Sequence, residues 1–127
     1  MAGILTKSSS NKDILATQIS SARIVYLLGD LSEMRAAARQ EGLIMPLSEA
    51  LLTLDPQLQD WACMALGRLL KGDRPTVQAF TEANGVQSLV LLLSSGNAMI
   101  QEHAALALNE VGLNNKEGAF LFVEEKG

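Results

Sequence analysis

One His, one Cys, one Trp and one Tyr occur among the 127 residues, and these four side chains have the most specialised chemistry in the chain. A thiol beside an imidazole makes a nucleophile pair, so Cys63 with His103 is the first combination to weigh. Cys63 lies in the apolar stretch Ala62-Cys63-Met64-Ala65-Leu66, where a thiol behaves as a small buried hydrophobe. His103 has no second His or Cys at ligand spacing, whereas a metal site takes three or four ligands. Catalytic, metal and cofactor sites are therefore all expected to be none. Phosphate-cradling loops of the GxGxxG or GxxxxGK[ST] type are missing, as are GxSxG, HExxH and CxxC. What remains for Trp61, Tyr26 and His103 is recognition, because Trp, Tyr and Arg dominate binding hot spots.

The placing of these residues becomes ordered when the chain is read against itself. QDWACMALGRLLKGDRPTVQAFTEANG at 59–85 returns as QEHAALALNEVGLNNKEGAFLFVEEKG at 101–127. From Pro46 to Gly85 the register with Ser88 to Gly127 is constant, with identities at Leu47/Leu89, Leu51/Leu93, Ala62/Ala104, Ala65/Ala107 and Leu66/Leu108. One extra residue falls between Gly42 and Pro46 when Gly42 is matched to Gly85. Self-similarity at a period of about 42 residues marks a helical solenoid, in which each unit buries its apolar face on its neighbour. Few aromatics and many Ala, Leu, Val and Ile residues suit close-packed helices better than sheets, so the fold is expected to be all-α.

Each unit divides into a medium, a long and a short helical segment, and the short one ends at Gly. Asp55 and Pro56 supply a cap and a fixed φ for the long segment of the middle unit, which places Leu58, Ala62, Ala65, Leu66 and Leu69 on one face. Lys71-Gly72-Asp73-Arg74-Pro75 ends it and starts a short segment. Gly42 and Gly85 are expected to mark equivalent bends with positive φ. Upstream, Ser20 to Leu31 is expected to form one long helix, with Leu28-Gly29-Asp30-Leu31 matching Leu66-Gly67-Arg68-Leu69, and Glu33 to Glu41 a short one. The expected organisation is a single domain over 1–127: a flexible N-terminus at 1–12, a partial repeat at 13–41, and repeats at 42–84 and 85–127.

These residues resemble the armadillo repeat, a family of about 42 residues per unit with three helices and a Gly at the bend between the first two. GVQSLVLLLSSGNAMIQEHAALAL is similar to that motif almost throughout, and Pro46-Leu47 resembles its Pro-Leu step opening the second helix. The resemblance covers 42–127 well and 20–41 loosely; HEAT repeats, which lack the Gly-marked short helix, are the structural alternative. It implies a right-handed α-solenoid of three-helix repeats, an armadillo-like superhelix whose third helices line a concave groove. Many members of the family carry a Trp and, four residues later, an Asn that clamps a peptide backbone. Here the Asn position is Arg68 and Glu110 and the Trp position is Met64 and Leu106, which argues against nuclear-localisation-signal capture of the importin type.

Superimposing the units places three rows on the expected concave face: Arg23, Tyr26 and Asp30; Trp61, Met64 and Arg68; His103, Leu106 and Glu110. A structural alternative has Trp61 and Tyr26 packing between helices, and Asp30, Arg68 and Glu110 pairing across repeats. The expected function is a non-enzymatic scaffold or adaptor that binds a protein or peptide segment along this face. A second reading is self-assembly or subunit docking through the C-terminal end of the solenoid, where Phe120, Phe122 and Val123 are expected to be uncovered; it makes a homo-oligomer through the terminal repeat. A net charge of −4, with no basic cluster, argues against a nucleic-acid partner. The longest apolar run, Leu89 to Leu93, is far below the roughly 20 residues of a membrane span. With no signal segment and a lone Cys, the expected compartment is the cytoplasm or nucleus.

Overall fold

The computed structural model describes residues 11–114, which form seven helices in the order α1 (Asn11–Leu28), α2 (Ser32–Gln40), α3 (Ile44–Ala50), α4 (Pro56–Leu70), α5 (Arg74–Glu82), α6 (Gly85–Leu92) and α7 (Ala98–Asn114). The long helices α1 and α4 are therefore each followed by two shorter ones, as expected of a three-helix repeat. The helix before each bend, at 9 residues in α2 and α5, is however longer than the one after it, at 7 in α3 and 8 in α6, the reverse of the expected short and medium lengths. The three long helices lie side by side, α1 against α4 and α4 against α7, and these are the most extensive packings in the molecule. Among the described residues no helix is long and apolar enough to cross a membrane.

The caps repeat with the helices. Asp55 Oδ1 accepts the Leu58 backbone N–H at 2.9 Å at the start of α4. Asn97 Oδ1 accepts from Met99 at 2.9 Å and Ile100 at 3.3 Å at the start of α7. Asp55 and Asn97 occupy the same place in successive units, so each long helix has an oxygen for its unpaired N-terminal donors. At α5, Asp73 instead takes the hydroxyl of Thr76 and the guanidinium of Arg39, tying the short helices α2 and α5 together. Thr76 is fully buried and its hydroxyl also accepts from Arg39 at 2.9 Å.

The core is a single apolar cluster along the facing sides of these helices. Leu58, Ala62, Ala65, Leu66 and Leu69 of α4 are all within it, as their spacing requires. The small Ala residues let the long helices approach, and Leu47, Leu51, Val77, Phe80 and Leu89 fill the space beneath.

Two further sequence expectations need correcting. The first long helix runs Asn11–Leu28, not 20–31. It begins earlier because Leu15 and Ile19 extend its apolar face onto the core. It ends earlier in a tight turn, with Gly29 N donating to Tyr26 O at 3.3 Å and Leu31 N to Leu28 O at 3.0 Å; Arg68 Nη1 also donates to Tyr26 O at 3.2 Å, and Arg35 Nε to Gly29 O, just past the helix, at 3.0 Å.

The second correction concerns the bends. Gly42 has φ +70° and Gly72 φ +67°, but at the later bend the left-handed residue is Asn84, φ +62°, and not Gly85. The hydrogen bonds agree: Gly42 N donates to Arg39 O at 3.3 Å and Asn84 N to Thr81 O at 3.0 Å, at corresponding places. Gly42 is thus equivalent to Asn84, and the extra residue between Gly42 and Pro46 disappears. Gly85 is glycine for a different reason, since a Cβ there would lie 2.0 Å from Cε1 of buried Phe80.

This predicts that Gly42→Asn leaves stability nearly unchanged, because Asn tolerates the left-handed region, whereas Gly42→Ala costs about 1–2 kcal/mol with no steric clash to blame. Urea melts of the two variants decide it. Equal losses for both would show that conformation is not what selects Gly42.

Candidate functional site: a cleft across the long helices

A cleft of about 380 Å³ opens along α1, α4 and α7. Tyr26 lines it from α1 and Asp30 from the turn after it, Met64 and Arg68 from α4, and His103, Leu106 and Glu110 from α7. The expected rows thus converge on one cavity, with two exceptions. Arg23 is exposed outside the lining, and Trp61 is half-buried beside it, packed against the core.

Arg68 organises one end. Its guanidinium carbon stands 4.1 Å from the centre of the Tyr26 ring, a cation–π contact, while Nη2 donates to Tyr26 Oη at 3.1 Å. Asp30 Oδ2 lies 3.6 Å from Nη1. On the other side Trp61 meets Tyr26 edge-on, with ring centres 5.7 Å apart and an interplanar angle of 62°. Tyr26 is therefore held between Trp61 and Arg68, and α1 is fastened to α4 by its own cleft residue.

Across α4, His103 Nδ1 lies 2.5 Å from Asp60 Oδ1. The carboxylate has no proton to give, so Nδ1–H donates. Glu110 does not join Asp30 and Arg68; its carboxylate accepts from Asn114 Nδ2 at 3.2 Å on its own helix. The structural alternative considered for these three charges thus describes Asp30 and Arg68 only.

Sequence reasoning missed Gly67, Lys71 and Asn109, which also line the cleft. Lys71 and Asn109 are exposed, and among the described residues neither is committed to an ion pair or a side-chain hydrogen bond. Asn109 directly precedes Glu110, so one step along α7 separates the residue that was weighed from a free amide. A smaller apolar cavity of about 100 Å³, lined by Val25, Leu43, Leu47 and Leu58 among others, lies between α1, α3 and α4.

Cys63 also borders the cleft but is fully buried. Burial pushes its thiol up to about 12, with the Asp60 carboxylate adding to the shift. A nucleophilic thiol needs the opposite. At pH 8 about one thiol in ten thousand is then ionised. Native protein is expected to resist an aromatic disulfide reagent at pH 8 and to react fully once unfolded in guanidinium. Rapid labelling of the native state would contradict the burial of this side chain.

Residues 73–110 match the family model of the armadillo/beta-catenin-like repeat. The match starts at Asp73, ahead of α5, and ends in α7, so it groups two shorter helices with the long one that follows them. No curated protein matches the sequence. Among solved structures, an engineered protein superposes with a TM-score of 0.84 at 27% identity, over 95% of this chain and 47% of that one. A designed armadillo repeat protein in complex with the peptide (KR)4 superposes at 0.79 with 19% identity, over 93% and 48%. Computationally designed armadillo repeat proteins for modular peptide recognition give 0.81 at 18% identity, over 95% and 49%. The chain spans about half the length of these solved structures.

Proposed function

We propose, on the premise that this is an armadillo-repeat protein, that it is a non-enzymatic interaction module whose cleft across α1, α4 and α7 receives an extended segment of a protein partner. The observation that carries this reading is the convergence of residues from three units on one open cavity. Apolar contact is available from Met64 and Leu106, and Leu106 is 57% exposed at the floor of a groove where a monomer gains nothing from it. Uncommitted polar groups on Lys71 and Asn109 can meet a peptide backbone or an acidic side chain.

The designed relatives support the reading by analogy, since one is solved with a (KR)4 peptide. Their basic ligand does not carry over. Arg68 and Lys71 face this cleft together with Asp30 and Glu110, and Asp30 is already beside Arg68. A segment of mixed charge suits that balanced lining better than a run of Lys and Arg.

The role of Arg23 and Trp61 differs from the rest of the expected set. Trp61 acts on the partner through Tyr26, which it holds in place. Arg23 lies off the cleft and has no part in it.

Peptides selected from a random display library against the wild-type chain test this. They are expected to lose about tenfold or more in affinity for Leu106→Arg, as a hot-spot position would, and to be indifferent to Leu54→Glu, a fully exposed position outside the cleft lining. Selected peptides that ignore Leu106→Arg would reject the cleft as the binding site.

A further inference from the structure

Among the described residues, the outer faces of the first and last long helices differ from the interior in a specific way. In the register set by Gly29 and Gly67, Ile24, Leu27 and Leu28 of α1 and Leu31 just beyond it correspond to Ala62, Ala65, Leu66 and Leu69 of α4. All four α4 residues are 0% exposed, whereas their counterparts are 49%, 60%, 43% and 51% exposed. The apolar stripe that a preceding unit covers in α4 thus lies open on α1.

The opposite edge is open in the complementary sense. The side of α4 that meets α7 carries Asp60, Cys63 and Gly67: Asp60 touches His103, and a Cβ on Gly67 would be 3.9 Å from Ala107. The corresponding α7 residues are Glu102, Ala105 and Asn109, and all are exposed. Leu106 and Leu113 flank them at 57% and 70% exposure.

We propose that two copies of this chain associate head to tail, α7 of one lying against α1 of the next as α4 lies against α7 within the chain. Charge selects this arrangement. Translating the internal Asp60–His103 contact by one unit puts Glu102 in the place of Asp60, and the equivalent of His103 on α1 is Arg23. Glu102 of one copy therefore meets Arg23 of the other. Both side chains are exposed, and neither has an ion-pair partner among the described residues. Arg23, which the cleft does not use, acquires a role. A fold that superposes on designed armadillo repeat proteins about twice its length also accepts further units at its edges. The contact is heterologous, so it propagates along a chain of copies instead of closing on a two-fold axis. Asn109 and Leu106 belong to both the cleft and this face, but Arg23 and Glu102, which select the arrangement, lie outside the cleft lining.

Sedimentation velocity of the 127-residue chain over a concentration series tests this with two exposed, fold-neutral substitutions. Arg23→Glu and Glu102→Arg each set like charges across the junction and are expected to weaken self-association by about tenfold or more. An equimolar mixture of the two variants restores opposite charges at every junction and is expected to associate as wild type does. A wild-type chain that stays monomeric at every concentration overturns the proposal. So do association indifferent to either reversal and variants that fail to recover on mixing.

Discussion

The close approach of α1 to α4 over Gly29 is the constraint on which the cleft depends. A Cβ at that position would stand 2.8 Å from Arg68 Cβ and 3.0 Å from the Val25 carbonyl oxygen. Its absence lets Arg68 leave α4 beside the end of α1, fold its guanidinium over Tyr26 and take the Tyr26 carbonyl and hydroxyl as acceptors. Tyr26 is then fixed from its other side by Trp61. No single contact here is strong: a cation–π pair and an exposed ion pair contribute on the order of 1 kcal/mol each. Together they set where α1 ends and how far α4 can slide along it, and the lining of the cleft follows from that.

The corners have a separate part in the same result. Left-handed residues at Gly42 and Asn84 turn α2 sharply into α3 and α5 into α6, which delivers α4 and α7 in parallel order beside α1. Side-chain oxygens at Asp55 and Asn97 then start each long helix at the same point in its unit. Position along the long helices, and hence which residues share the cleft, is fixed at both ends by backbone chemistry rather than by bulk hydrophobicity.

Much of this was legible in the sequence, because repetition turns one reading into several. The periodic Ala and Leu of 58–69 return at 100–111, and a face that is apolar twice is a core face. The cleft rows came from the same overlay. What escaped has physical reasons. Asn shares the left-handed region with Gly, so the identity at Gly85 drew attention one residue away from the true bend at Asn84. Gly85 itself answers to Phe80, a contact within its own unit that no overlay reveals. The end of α1 is met by Arg35 of α2 and Arg68 of α4, both from other helices, and local propensity carries no trace of it. Trp61 followed its composition into the binding set, although its half-buried ring serves Tyr26 instead. The aromatic residues at 120 and 122, and Val123, lie outside the described residues, so the apolar edge that can be argued is on α1.

Stability and emission of the Gly29→Ala variant test the central claim most directly, since Trp61 is the only Trp and reports on the α1–α4 contact. Where space allows, Gly→Ala stabilises by about 0.4–1 kcal/mol through the unfolded chain, so the sign of the effect is diagnostic. The account predicts a loss of about 1–3 kcal/mol, as overpacking produces, with Trp61 emission shifted to the red while Gly96→Ala, whose Cβ meets nothing within 4 Å, leaves the emission unchanged. A Gly29→Ala protein that is more stable than wild type and has unaltered Trp61 emission would contradict it.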